Sequence, residues 1–246
     1  MAFWARAKVA VRKTDLAASG LFVQSFNVVK EAANRVLGLP DLAGQVLGLA
    51  PVKTLRLRVV ILRDEQSRSL AEAREVMPSV EAARAIFERQ ARIKVSPARG
   101  SFIQTLDTAA PADALDVHCD FHAWKEGLRE AGNFFETYLG QHAAVMLTGY
   151  AAPITVFIVR DVSGKGGCSL GPLTDYVTVA ICGLDSCGED EEGRAVARLL
   201  AHEVGHACGL WHVRDPSNLM HPRGPGVKLR PWQRAILRNS RHVTYL

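Results

Sequence analysis

Residues 202–212 of this chain read His-Glu-Val-Gly-His-Ala-Cys-Gly-Leu-Trp-His. His202 and His206 are four positions apart, so on a helix they project from one face about a turn apart. Two imidazoles placed in this way can grip one cation. If the helix continued, His212 would stand about 15 Å further along the axis than His202, out of reach of that cation. Gly209 resolves the conflict, because glycine takes up the left-handed conformation that ends helices and redirects the chain. Three nitrogen donors can then converge and leave a fourth position open. That is the donor set of a zinc ion that activates water, whereas structural zinc sites usually close with four protein ligands. Glu203, beside the first histidine, offers a carboxylate able to accept a proton from attacking water.

The stretch Asp215-Pro216-Ser217-Asn218-Leu219-Met220-His221-Pro222 follows closely. Pro216, Ser217 and Asn218 favour turns, and Met220 lies eight residues beyond His212. With the long histidine motif, this turn resembles the metzincin clan of zinc endopeptidases. The short distance to Met220, Asp215 three residues after the last histidine, and Pro222 look most like the matrixin branch. The resemblance implies Zn2+ held by His202, His206 and His212, with Glu203 as catalytic base and Met220 as the turn methionine. It further implies hydrolysis of peptide bonds in a protein or peptide substrate. Pro222 and its neighbours would wall the pocket for the residue after the scissile bond. Residues 164–172 would lie at the edge of the sheet beside the cleft, so that Ser169, Leu170 and Gly171 meet an extended peptide added as a strand.

The chain also departs from the matrixin pattern. Val213 stands where matrixins carry serine, and Pro222 replaces the tyrosine that some other metzincins place two residues past the methionine. There is no second histidine and aspartate array of the matrixin kind and no cysteine-switch sequence. The resemblance rests on residues 195–222 and extends by element order over 54–246.

Several elements must position these groups. Strands are expected over 55–62, 92–96, 153–160 and 175–181, where β-branched and apolar residues concentrate. Helices are expected over 79–91, just after Pro78, over 122–139, and over 191–208, which carries the motif. Two short helices are expected within 20–49. The order implies an α+β fold. In its metzincin-like form, a twisted mixed β-sheet with helices makes an upper subdomain (54–209) that includes the zinc-binding helix. A smaller lower subdomain (210–246) carries the methionine turn and a last helix. Residues 1–53 read as a helical extension, either a docking element or a latency segment whose plug would be a carboxylate such as Asp15, Glu31 or Asp41.

With 48% apolar residues the chain can build a substantial core, and no stretch is apolar enough for a membrane span. No hydrophobic signal core can be drawn at the N-terminus. The protein is therefore expected to stay inside, to leave by a signal-less route, or to have lost its leader. The net charge of +5 is mild for nucleic-acid binding. One basic stripe, Arg230, Arg234 and Arg238 with Arg241 nearby, reads as a solvated helix face or as a docking surface for an acidic partner. Five cysteines are present. Cys208 should point away from the metal into the core. Cys182 could pair with Cys187 or with Cys168, although an odd count without a leader favours reduced thiols. His118 and His122, also four apart, could begin a second metal site or simply start a helix. Two other readings compete with the peptidase, a non-catalytic zinc-stabilised protein-binding module and a basic nucleic-acid-binding protein.

Overall fold

A computed structural model describes residues 51–119, 128–140, 151–181 and 197–245. The central strand β1 (Lys53–Ile61) is flanked on one side by β2 (Ile93–Pro97) and β3 (Ile103–Thr105), both parallel to it. On its other side lie parallel β4 (Ile154–Val159) and, at Thr54 and Leu55, antiparallel β7 (Val243–Thr244). Beyond β4 come parallel β6 (Tyr176–Ala180) and then β5 (Gly167–Ser169), which runs antiparallel and ends the order β2-β1-β4-β6-β5. The sheet is therefore mixed, as expected.

Helices cover both faces, which explains why β4, β6 and the Val59–Ile61 end of β1 read as largely apolar runs, while the first half of β1 alternates. Leu55, Leu57, Val59 and Ile61 share one core with Ile154, Val156, Ile158, Val177 and Val179. The same core takes residues from α1 (Ala73–Ala91) and from the motif helix α4 (Leu199–Ala207). The alternate positions Val60, Leu62, Phe157, Val159, Tyr176 and Ala180 pack with Ala131, Phe135 and Leu139 of α3 (Leu128–Gly140). There Phe135 stacks on Phe157 with ring centroids 4.4 Å apart. Each such buried side chain contributes about 1.5–3 kcal/mol. A single turn, α2 (Ala112–Leu115), adds to this second core, and α5 (Pro231–Arg238) leads to β7.

Several expectations are corrected. Pro78 lies inside α1 rather than before it. Only the Arg74 carbonyl loses its helical donor there, and Arg74 sits in the exposed first turn. The start of α1 is held instead by the Glu75 carboxylate, which accepts from the Glu72 N–H at 2.6 Å.

The basic stripe is not one solvated face, because Arg238 and Arg241 are fully buried. Arg238 donates to the carbonyls of Ala91 and Pro51 at 2.8 Å each, tying α5 to the C-terminal end of α1. Arg241 pairs with buried Asp175.

Cys168 pairs with Cys119, not with Cys182. The contact arises because Asp116 bridges Asp161, and the Val117 N–H donates to the Asp161 carbonyl at 2.9 Å. That pairing lays segment 116–119 against the approach to β5. Cys208 is a buried thiol, as expected.

Strands β3 and β7 were not expected. The expected helices in 20–49, the starts of the 122–139 and 191–208 helices, His122, Cys182 and Cys187 lie outside the described residues. Among the described residues no helix is long and apolar enough to cross a membrane.

Candidate metal centre

The motif helix ends where the sequence places its glycine. Gly209 has φ +87°, a left-handed conformation. Its N–H donates to the His206 carbonyl at 2.8 Å, and the Leu210 N–H donates to the Gly205 carbonyl at 3.0 Å. These two bonds form a Schellman cap, which satisfies carbonyls left over at the helix end. The chain then turns back, and Leu210 offers its carbonyl to His206 Nδ1 at 2.8 Å. His212 arrives beside the helix rather than beyond it.

The three imidazoles converge. The Nε2 of His202 lies 3.2 Å from those of His206 and His212, and the latter two are 3.1 Å apart. Among the described residues they form the one group of three or more histidine, cysteine, aspartate or glutamate donors within reach of a common ion. The Nδ1 atoms of His202 and His206 face the carbonyls of Leu219 and Leu210 at 2.7 and 2.8 Å. Each must carry its proton on Nδ1 to make that bond. Their Nε2 atoms are then both acceptors, and lone pairs held 3.2 Å apart repel unless a cation lies between them. Ligands of a tetrahedral zinc at about 2.0–2.1 Å stand about 3.3 Å from one another, close to the spacing here. The residues fit a zinc ion. Burial holds His202 at about 3 and His206 at about 4, and lowers His212 as well. All three are therefore neutral and ready to ligate near pH 7.

Glu203 is 5% exposed, and burial pushes its carboxyl up to about 8, with the nearby charge of Arg198 opposing. No hydrogen bond from another described residue reaches it, so an adjacent dication would remove most of the cost of its burial. Its side chain lies against Gly167 of β5, and a Cβ on Gly171, which has φ +65°, would stand 3.7 Å from the His206 carbonyl oxygen. Edge strand β5 and the residues after it therefore border the motif helix. Ser169 pairs with Val177 and accepts from the Gly171 N–H at 3.1 Å, while Leu170 is half-buried.

Met220 is fully buried beneath α4, where a Cβ on Gly205 would come within 2.8 Å of its sulfur. Its turn is locked from several sides. The Asn218 side-chain carbonyl accepts from the Met220 N–H at 2.9 Å, and Asn218 exchanges amide hydrogen bonds with buried Gln233 at 2.7 and 3.1 Å. Asp215 accepts from the N–H and hydroxyl of Ser217, at 3.0 and 2.9 Å. Pro222 is exposed two residues past the methionine.

Sequence reasoning passed over Arg198, Gly167 and the Asn218–Gln233 pair. Arg198 carried a readable signal, since a cation one turn before His202 falls on the same face of the helix as His202 and His206. His118 is exposed and belongs to no metal-binding group among the described residues.

No protein-family model and no curated protein sequence matches the chain. Solved structures do. A zinc-dependent peptidase from Methanocorpusculum labreanum is 14% identical, with 73% of this chain and 99% of that one covered and a TM-score of 0.45. Archaemetzincin from Archaeoglobus fulgidus is 13% identical, with 74% and 99% covered and a TM-score of 0.42. For metalloproteinase-II from Bacteroides fragilis the values are 15%, 72% and 49%, and 0.39. The chain spans about half the length of that last protein. These are distant structural likenesses, and the chemistry of the site stands on the chain's own residues.

Proposed function

We propose that the protein is a zinc-dependent endopeptidase of metzincin type, with a matrixin-like turn beneath the metal. The observation that carries this reading is the convergence of three neutral Nε2 atoms at 3.1–3.2 Å beside a buried carboxylate. His202, His206 and His212 would hold the metal. Zinc in such a site would supply a Lewis acid that lowers the pKa of bound water toward about 7 and polarises a carbonyl.

The remaining work falls to the chain's own groups. Glu203 accepts the proton of the attacking water and passes it to the departing amine. The Leu219 and Leu210 carbonyls keep His202 and His206 in the ligating tautomer. Strand β5 ends the sheet, with no further strand beyond it among the described residues. An extended substrate can add along β5 as far as Ser169, with Leu170 and the helical turn that starts at Gly171 meeting it beyond the strand end and Pro222 walling the pocket after the scissile bond.

A peptide-library digestion with and without chelator tests the reading. Cleavage abolished by chelator and restored by zinc supports it. Zinc binding without cleavage would instead favour the non-catalytic binding module.

A further inference from the structure

Arg198 sits one helical turn before His202 and is 5% exposed. Its guanidinium reaches across to the methionine turn. Nη1 donates to the Leu219 carbonyl at 2.6 Å, and Nη2 donates to the His221 carbonyl at 3.0 Å. These two carbonyls flank Met220. The Leu219 carbonyl also accepts from His202 Nδ1 at 2.7 Å, and Arg198 Nη1 lies 3.3 Å from that same Nδ1. Two donors therefore share one oxygen, which its two lone pairs permit. Nε is buried without a hydrogen-bond partner among the described residues. Removing a guanidinium from water is costly, and a packing role alone would be met by an apolar side chain. A planar fork that spans two carbonyls is something a lysine ammonium cannot reproduce.

We propose that Arg198 is a positioning residue of the metal centre. It fixes the Leu219 carbonyl that orients His202, and it staples the methionine turn to the motif helix. The proposal rests on the three histidines being zinc ligands. Partners one step behind a metal ligand typically change metal affinity 10- to 100-fold when removed.

The test uses the full chain carrying Arg198→Met or Arg198→Lys. Zinc affinity is measured by competition with a chromophoric chelator, and the visible absorption of the cobalt-substituted proteins is recorded. Arg198→Met is expected to keep the wild-type circular dichroism, to bind zinc about 10- to 100-fold more weakly, and to shift the cobalt bands. Arg198→Lys should show a smaller change of the same sign. Wild-type affinity and an unaltered cobalt spectrum in folded Arg198→Met would overturn the proposal. If that variant does not fold, Arg198→Lys decides on the same two readouts. If neither folds, the residue serves the fold as a whole and the proposal is overturned. A wild-type protein that binds neither zinc nor cobalt defeats the metal assignment itself, an outcome distinct from a variant that matches a zinc-binding wild type.

Discussion

The Glu203 side chain lies directly against the backbone of Gly167. A Cβ at Gly167 would stand 2.8 Å from its Cγ and 2.9 Å from both Cδ and Oε1. The missing side chain on the edge strand therefore sets where the carboxylate can rest. Gly167→Ala is expected to displace Glu203 and lower kcat by about 10- to 100-fold, since misplacing a reacting group by an ångström costs about that much. Zinc content should be unchanged. A variant with normal turnover would show that the carboxylate position is not set by β5.

Glu203→Gln removes the proposed proton acceptor and keeps nearly the same shape. Zinc content should stay near one equivalent while kcat falls by about 100-fold or more. Metal analysis and peptide turnover on the same preparation check this. Normal cleavage by the variant would remove Glu203 from the mechanism.

Gly209→Ala places a Cβ in a left-handed conformation at φ +87°. The strain is about 1–2 kcal/mol. Urea denaturation should show a loss of that order, accompanied by weaker zinc binding as His212 is drawn from its partners. Unchanged stability and affinity would mean that the bend tolerates an ordinary residue.

Buried titratable groups set the pH dependence of the metal-free protein. Burial holds His202 at about 3 and His206 and His242 at about 4, while it raises Glu203 to about 8 and Glu136 to about 7. Above about pH 6.5 the unfolded chain has released all five of these protons, whereas the folded state retains those on the two carboxyls. Stability therefore falls as pH rises through 7 and 8. Below about pH 6.5 the unfolded chain binds three histidine protons that the folded state refuses. Stability declines gently at first, then steeply below about pH 4.5, where the unfolded carboxyls are protonated too. Chemical denaturation after chelator treatment should show a maximum near about pH 6.5. A monotonic rise from pH 4 to 8 would contradict it.

The parts of the fold legible in sequence were those written in local patterns. Strands β4 and β6 and the second half of β1 carry their apolar runs openly, and Gly209 announces its bend because His212 cannot otherwise join His202 and His206. Interactions between distant segments were less legible. Nothing near Cys168 points to Cys119, 49 positions away, because the pairing depends on the Asp116–Asp161 bridge. Arg238 repeats at helical spacing with Arg230 and Arg234, yet only its seat against the end of α1 explains why it is buried. Pro78 reads as a boundary, although a proline in an exposed early turn costs a helix only one bond. Gly167 carries no local mark of the carboxylate that packs on it.

The most direct test of the metal centre is the zinc X-ray absorption spectrum of the purified, zinc-loaded protein. The account predicts one zinc per chain with three imidazole nitrogens and one oxygen at about 2.0–2.1 Å. A spectrum dominated by sulfur near about 2.3 Å, or one left unaltered when His212 is replaced by alanine, would contradict it.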